Sequence, residues 1–213
     1  METWRAPIKN SGMSCVDDIC RFLQSIDPHV KEVIFKGNQN FIAVARKGMG
    51  TSIAMEMAIL RAMCIPAAAA AIRASGSEGM PLNTPSKILF ISSLKERYQQ
   101  RLHEWKLKYE SVVLPGWSRV LKVGELSEST IRNHDIFCTT PYHFDAFCRR
   151  FLVPLTPQAA QEMSQFSLVL IEDIHLVGNS QDGLLLEFSV VSRLKMLSRL
   201  PDMTQVRLGC ILC

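Results

Sequence analysis

Short apolar runs alternate with segments of helical periodicity along most of the 213-residue chain. The runs are continuously apolar, which is typical of strands that are covered on both faces of a sheet. They predict strands at about 40–45, 87–91, 119–123, 135–139, 166–171 and 205–212.

Amphipathic patterns between these runs predict helices at about 14–26, 52–63, 94–109, 142–151, 157–164 and 184–200. Strands that alternate with helices indicate an α/β fold in which a parallel sheet carries helices on both faces. In such a sheet, ligands bind at the carboxyl ends of the strands. The motifs at those ends are therefore the first place to look for function.

The pattern divides the chain into a helical extension, 1–27, and one α/β domain, 28–213. Glycines and prolines interrupt the alanine-rich segment that follows the second predicted helix. They predict a flexible surface loop at about 73–86.

Composition supports one sizeable core, since 47% of residues are hydrophobic and 21% are charged. The formal net charge of +4 permits contact with nucleic acid but does not argue for it, because dedicated binders cluster their basic residues. The N-terminal segment mixes charged and polar groups, and no apolar run approaches the roughly 18 residues of a membrane span. We therefore expect a soluble, intracellular protein.

The seven cysteines are odd in number and several lie within apolar runs. This usage predicts free thiols in a reducing compartment and not a disulfide framework. Cys210 and Cys213 form a lone CxxC without a second pair or a nearby histidine, so a metal or redox role is not favoured.

The segment between the first predicted strand and its helix has the frame of a phosphate-binding loop. The usual pattern ends in Gly-Lys-Ser/Thr, where the lysine reaches the outer phosphates and the hydroxyl binds magnesium. In this chain Thr51 stands at the lysine position, and Ser52 retains the hydroxyl. The candidate nucleotide-binding residues are Ala45, Arg46, Lys47, Gly48, Met49, Gly50, Thr51 and Ser52.

The most hydrophobic predicted strand, 166–171, ends at Glu172 and Asp173. Adjacent carboxylates suit a magnesium ligand followed by a residue that orients an attacking water. A strand that simply enters a solvated acidic loop is the plainer interpretation. The order of glycine loop and acidic pair nevertheless favours a nucleotide site, in which Ser52 and Glu172 would hold magnesium beside ATP.

The run Ile171–Gly178 resembles the Asp-Glu-x-His box of the superfamily-two helicases, with the two acids exchanged. Three further segments resemble motifs of that family in the same order: 91–95, its Pro-Leu-Lys motif, 123–125, its Thr-Gly-Asp element, and 139–145, its Thr-Thr-Pro-Glu-Lys-Trp-Asp segment. The combination is most similar to the superkiller-type branch, and within it to the tandem-cassette spliceosomal class. The resemblance spans about 28–213 and implies a first RecA-like domain.

The resemblance also implies functional residues. It assigns a catalytic role to the acidic box, Glu172, Asp173 and His175, although His175 also suits a structural or coupling role. The residues implied for contact with a nucleic-acid backbone are Lys95, Gly124, Thr140, Pro141 and Arg149. For the neighbouring Arg97 and Arg150, a solvated helix-face position is the favoured interpretation.

The same resemblance exposes several departures from the family pattern. Thr51 supplies a hydroxyl where a lysine would neutralise phosphate charge, and Asp173 is one methylene shorter than the glutamate that positions water. The adenine-reading glutamine is absent at 27–30, Cys-Ile-Leu-Cys replaces the Ser-Ala-Thr motif at 210–213, and Tyr142 replaces an acid. Several sites altered together indicate a fold kept after its chemistry was no longer needed.

We therefore expect a degenerate helicase domain that does not hydrolyse ATP and acts as an interaction or regulatory platform in an RNA-processing helicase. The resemblance implies a nuclear location and, as partners, a second RecA-like lobe, an active cassette or RNA. One alternative is the nucleotide-binding half of a functional ATP-dependent RNA or DNA helicase. Others are a domain in which ATP is a structural ligand, and a phosphate-binding α/β protein outside the helicases.

Overall fold

Six parallel strands form the centre of the computed structural model, which describes residues 31–36, 39–44, 51–74, 86–111, 113, 120–151, 161–163, 165–178, 182–187, 190 and 207–212. The strands are β1 (Phe41–Val44), β2 (Lys87–Ile91), β3 (Val123–Glu125), β4 (Ile136–Thr139), β5 (Phe166–Glu172) and β6 (Arg207–Leu212). Their order across the sheet is β1-β6-β5-β2-β4-β3. Every pair is parallel, which confirms the predicted sheet.

The described helices are α1 (Thr51–Ala74), α2 (Lys95–Tyr109), α3 (Pro141–Phe151) and α4 (Asp182–Leu186). A π-helical turn at Lys31–Lys36 precedes β1, and a 3-10 turn at Ile174–Leu176 follows β5. The predicted extension at 1–27 lies outside the described residues. So do residues 45–50 of the glycine loop and most of the predicted loop at 73–86.

Successive side chains of β2 enter two different cores, because side chains alternate between the faces of a strand. Ile88 and Phe90 belong to one buried cluster, and Leu89 and Ile91 belong to the other. All four side chains are at most 1% exposed. The continuous apolar pattern of this strand therefore reflects burial on both faces of the sheet, as predicted.

Helices α1 and α2 cover the first face of the sheet. Met55 and Met63 of α1 and Trp105 of α2 are fully buried there, and Trp105 packs edge-to-face on Phe90 with ring centroids 5.1 Å apart. The opposite face packs against α3 and α4 through side chains that include Phe144. Because α1 and α2 share one core, their first turns are held beside the carboxyl ends of the central strands.

Three element predictions differ from the structure. The strand expected at 119–123 is instead Val123–Glu125, so only its last residue pairs in the sheet. Helix α1 does not stop near Met63 but continues to Ala74, because the alanines that follow have the highest helix propensity. Helix α4 begins at Asp182, two residues before the helix expected at 184–200, and residues 188–189 and 191–200 of that range lie outside the described part of the chain.

Cys138 and Cys210 are free thiols, as predicted for them; Cys138 is buried and Cys210 is half-buried. Burial raises the pKa of the Cys210 thiol above its ordinary value, which disfavours a reactive thiolate. None of the helices in the described ranges is long and apolar enough to cross a membrane.

A buried arginine joins β6 to the π-helical turn. Arg207 donates hydrogen bonds to the carbonyl oxygens of Val33, Ile34 and Gln39 at 2.6 to 2.7 Å. Its guanidinium also lies 4.7 Å from the centroid of the Phe41 ring. Burial lowers the pKa of Arg207 to about 10, so the three carbonyls are the main compensation for an interior charge.

We expect Arg207→Met to lower the free energy of unfolding by about 2–4 kcal/mol, because three backbone carbonyls, of which that of Ile34 is buried, lose their donor while the apolar stem remains. Urea denaturation followed by circular dichroism measures the change. Arg150→Met, at an exposed position of α3, is the matched control and should change stability by less than about 0.5 kcal/mol. Equal effects of the two substitutions would contradict this role for Arg207.

Candidate nucleotide site

The carboxyl ends of parallel strands meet at one edge of the sheet, and there the structure brings the predicted site residues together. Glu172 is the last residue of β5, and Asp173 follows it. Ser52 lies in the first turn of α1 and is bridged to Glu172 through an arginine of α2, described below. Among the described residues, the start of α1 and the acidic box therefore lie at the same edge of the sheet.

Asp173 turns the chain sharply as it leaves the sheet. Its φ of 62° places it in the left-handed region, which aspartate tolerates better than most residues. Its carbonyl oxygen accepts a hydrogen bond from the Leu176 amide at 3.0 Å, which closes the 3-10 turn. The turn directs the Asp173 side chain inward, where it is 2% exposed, and leaves His175 exposed.

Arg97 of α2 is the ion-pair partner of the acidic box. Its Nη1 lies 2.8 Å from Oδ1 of Asp173 and 3.8 Å from Oε1 of Glu172. The side chain is 35% exposed, whereas both carboxylates are at most 3% exposed. Arg97 is therefore directed at the two acids and does not occupy a freely solvated helix-face position.

Arg101, one helical turn further along α2, contacts both candidate magnesium ligands. Its Nη2 donates to the hydroxyl of Ser52 at 2.6 Å and lies 4.0 Å from Oε1 of Glu172. Its Nη1 pairs with Glu104 at 3.0 Å. The side chain is only 17% exposed, so Arg101 forms an interior bridge between α1 and β5.

The acidic pair is only partly compensated by these arginines. Burial raises the pKa of Glu172 above its usual range, against the opposing effect of the Arg101 charge. Oε2 of Glu172 and Oδ2 of Asp173 are buried and have no hydrogen-bond partner among the described residues. The site therefore retains negative character and depends on both arginines to remain charged.

Arg97 and Arg101 are the site residues that the sequence reasoning missed. Their spacing of four positions places them on the same face of α2. That spacing was visible in the sequence, but the pattern does not show which face of the helix meets β5. The glycine loop and the acidic pair suggested the site, and the cations that occupy it come from a helix that begins 77 positions earlier than Glu172.

Predicted contacts to a nucleic-acid backbone fall on the same edge of the sheet, at β3, α2 and α3. Lys95 is exposed at the start of α2. Arg149 is exposed on α3 but is paired through Nε with Asp145 at 2.6 Å. His175 also lies at this edge, exposed. These placements are compatible with the predicted roles and do not test them.

Gly124, Thr140 and Pro141 have local structural roles in this region. A Cβ at position 124 would lie 2.6 Å from Cδ2 of His134, so Gly124 permits close packing of β3 on that ring. The Thr140 hydroxyl accepts a hydrogen bond from the His143 amide at 3.3 Å and caps α3. Pro141 occupies the first position of α3. Proline fits there because a backbone N–H at this position would have no partner within the helix.

A cleft of about 490 Å³ lies between α2, α3 and the carboxyl ends of β3 and β4. Arg150 lines it, but so do Glu125 and Glu128. Glu125 accepts a hydrogen bond from the Tyr98 hydroxyl at 2.7 Å. Burial and this hydrogen bond raise the pKa of Tyr98 to about 12. Because acidic and basic side chains both line the cleft, its charge does not indicate an anionic ligand.

Comparison with known proteins gives relatives over most of the chain. The ATP-dependent DNA helicase homolog MER3 of Arabidopsis thaliana is 31% identical over 183 residues, which are 84% of this chain and 15% of that protein. Activating signal cointegrator 1 complex subunit 3 of Dictyostelium discoideum is 25% identical over 90% of the chain and 8% of its own length. The DExH-box ATP-dependent RNA helicase DExH13 of A. thaliana is 25% identical over 90% of the chain and 8% of its own length. No protein-family profile matches the chain.

The strand order, the two-sided core and the placement of the acidic residues define an α/β domain of the RecA-like type. The chain is related to the DExH-box helicases of superfamily two, and it has the architecture of a helicase ATP-binding domain. It spans 15% or less of the length of these relatives. The activities in their names therefore belong to much larger proteins.

Magnesium and ATP are the groups that this family implies, and the described residues do not fit magnesium as they stand. The Ser52 hydroxyl already accepts a hydrogen bond from Arg101, and both arginines lie within 4.0 Å of Oε1 of Glu172. The unpartnered oxygens of Glu172 and Asp173 are the remaining free acceptors in this cluster. Thr51, at the position of the phosphate-binding lysine, is 8% exposed at the start of α1 and carries no charge.

We expect Arg97→Met to lower the free energy of unfolding by about 2–4 kcal/mol, because Asp173 would keep a buried charge without its nearest counter-ion. Chemical denaturation measures this change. Arg149→Met removes a pair whose arginine is 69% exposed, and it should cost less than about 1 kcal/mol.

The double variant Arg97→Met, Asp173→Asn separates this pairing from a loss of packing. Neutralising Asp173 should recover part of the stability lost in Arg97→Met, since the unpaired charge is then gone. If the two changes are additive, the Arg97–Asp173 pair does not stabilise the fold.

Proposed function

We propose that this chain is a degenerate helicase ATP-binding domain that does not hydrolyse ATP and serves as a protein-interaction or regulatory platform in an RNA-processing helicase. The observation that carries the proposal is the ion pair between Arg97 and Asp173 at 2.8 Å. This ion pair engages the carboxylate of Asp173, which stands at the position of the family's water-orienting acid. Each remaining departure from the family pattern points in the same direction.

The first supporting argument concerns transition-state charge. Transfer of a phosphoryl group spreads negative charge over the phosphate oxygens, and a lysine in the phosphate loop stabilises that charge. Thr51 offers only a hydroxyl, and removing one preorganised donor from such a site typically lowers turnover by about 100- to 1000-fold. Arg97 and Arg101 are engaged with carboxylates and Ser52, so neither replaces the lysine as a free cation.

The second supporting argument concerns the attacking water. A general base must reach the water with its lone pair free and correctly oriented. Asp173 is shorter than glutamate, is 2% exposed, and has one oxygen held by Arg97. A displacement of about 1 Å in such a group lowers the rate by about 100-fold. The two defects act on different parts of the same reaction, so their effects multiply.

The third supporting argument concerns what remains intact. Both cores are filled by large buried side chains, and the six described strands pair in one parallel sheet. A domain that is stable but lacks chemistry suits binding to other proteins, and the proposed partners are a second RecA-like lobe or an active cassette. Relatives named as a complex subunit and as RNA helicases support a place in a nuclear RNA-processing assembly.

The competing function is the nucleotide-binding half of a working ATP-dependent RNA or DNA helicase. Relatives named as ATP-dependent DNA helicases favour it, as does the retention of Ser52 and both acids in one place. That function requires Arg97 and Arg101 to leave the acidic box when nucleotide binds. The degenerate domain requires them to stay.

ATP hydrolysis should be measured in the polypeptide in which the chain occurs, with single-stranded RNA or DNA present. We expect turnover at least about 100-fold below that of the Arabidopsis MER3 homolog assayed beside it, since a phosphate-binding cation is missing. Thr51→Lys should not restore turnover, because Asp173 stays paired with Arg97.

Two substitutions identify the source of any activity that is seen. Asp173→Ala removes the acid of the site, and Asp145→Ala removes an aspartate of α3 as the matched control. Hydrolysis that Asp173→Ala abolishes and Asp145→Ala preserves would refute the degenerate domain and establish the competing function.

A further inference from the structure

One guanidinium occupies the space between the two oxygens that the helicase resemblance assigns to magnesium. Nη2 of Arg101 lies 2.6 Å from Oγ of Ser52 and 4.0 Å from Oε1 of Glu172. A magnesium ion at that position would need its oxygen ligands at about 2.0–2.1 Å in near-octahedral geometry. The ion and the arginine therefore cannot share the site.

Much of the charge of the two acids is also offset without a metal. Glu172 and Asp173 carry two negative charges, and Arg97 and Arg101 supply two positive charges within 4.0 Å of them. The two guanidiniums together carry the formal charge of one magnesium ion. Unlike the ion, they are covalently attached to α2 and need no release of hydration water at each binding event.

Arg101 is held firmly enough to keep this position. Its side chain is 17% exposed, and its second nitrogen pairs with Glu104 at 3.0 Å. To admit a metal, the side chain would have to leave Ser52, Glu172 and Glu104 together. Arginine suits the task because its planar fork presents several fixed donors at once.

We infer that Arg101 is a built-in replacement for the magnesium ion, which makes this site metal-independent and locks α1, α2 and β5 together. This inference deepens the proposed function and rests on it. The bridge joins Ser52 of α1 to Glu172 of β5 through a side chain of α2. The groups that hold a catalytic metal in an ATPase then form a permanent ionic core in this chain.

Binding of Mn²⁺ alone, without nucleotide, tests the replacement, because free Mn²⁺ gives an electron paramagnetic resonance signal that disappears on binding. The intact wild-type chain should show no saturable Mn²⁺ binding. Arg101→Met and Arg101→Gln should each expose the Ser52 and Glu172 oxygens and show saturable Mn²⁺ binding, with a midpoint at least about tenfold below the highest concentration at which wild type shows none. Adding Glu172→Gln to either variant should abolish that binding.

Lys106→Met is the matched control, since it removes one positive charge from an exposed position of the same helix. It should leave Mn²⁺ binding as in wild type. Mn²⁺ binding by wild type as tight as that of the Arg101 variants would overturn the inference. So would Arg101 variants that fold normally and gain no binding.

A second measurement keeps the inference testable if both Arg101 variants fail to fold. The melting temperature of the wild-type chain should be the same in EDTA and in excess Mg²⁺, because a metal that does not bind cannot stabilise the fold. A rise in Mg²⁺ that Glu172→Gln removes would overturn it. ATP turnover by wild type would instead refute the proposed function, so the two failures are distinguishable.

Discussion

Two adjacent buried carboxylates at the end of a central strand require positive charge close by, and this requirement organises the functional edge of the domain. Glu172 and Asp173 are at most 3% exposed, and isolated charges at that depth would cost several kcal/mol each. Arg97 and Arg101 provide the compensation from α2. Because Arg101 also reaches Ser52, the position of α2 relative to α1 and β5 is tied to the acidic box.

Most of the sheet could be predicted from the sequence because strands that are buried on both faces consist of continuously apolar residues. Strands β2, β4 and β5 are continuously apolar runs, and each was predicted to within about one residue at either end. Strand β3 was misplaced, because it is short and its Gly124 packs against His134 without an apolar signal of its own. Helix α1 was predicted to end near Met63 because prolines and glycines interrupt the segment that follows, whereas its alanines extend the helix to Ala74.

The site was predictable only in part, for a different reason. Acids after an apolar strand and a hydroxyl after a glycine loop are local patterns, and parallel topology brings them to one edge. The Arg97–Asp173 pair joins residues 76 positions apart and depends on how α2 rotates about its axis. That rotation follows from the packing of Trp105 and Tyr98 against the sheet, which single-sequence periodicity does not resolve. The decisive ion pairs were therefore invisible before the fold was known.

A nucleotide-driven motor needs a site whose charge balance changes with its ligand, since a ligand shifts a conformation only through its different affinity for two states. In this domain the positive charges beside Glu172 and Asp173 belong to the protein, so much of the compensation is in place before any ligand arrives. Such a site has little differential affinity to offer. Under the proposed function, two departures from the family pattern agree with each other. Threonine in place of lysine at position 51 removes the cation that would contact phosphate, and the arginines of α2 remove the need for a metal. Under the proposed function, what remains is an α/β unit whose shape would not depend on nucleotide, which is the property that a docking platform requires.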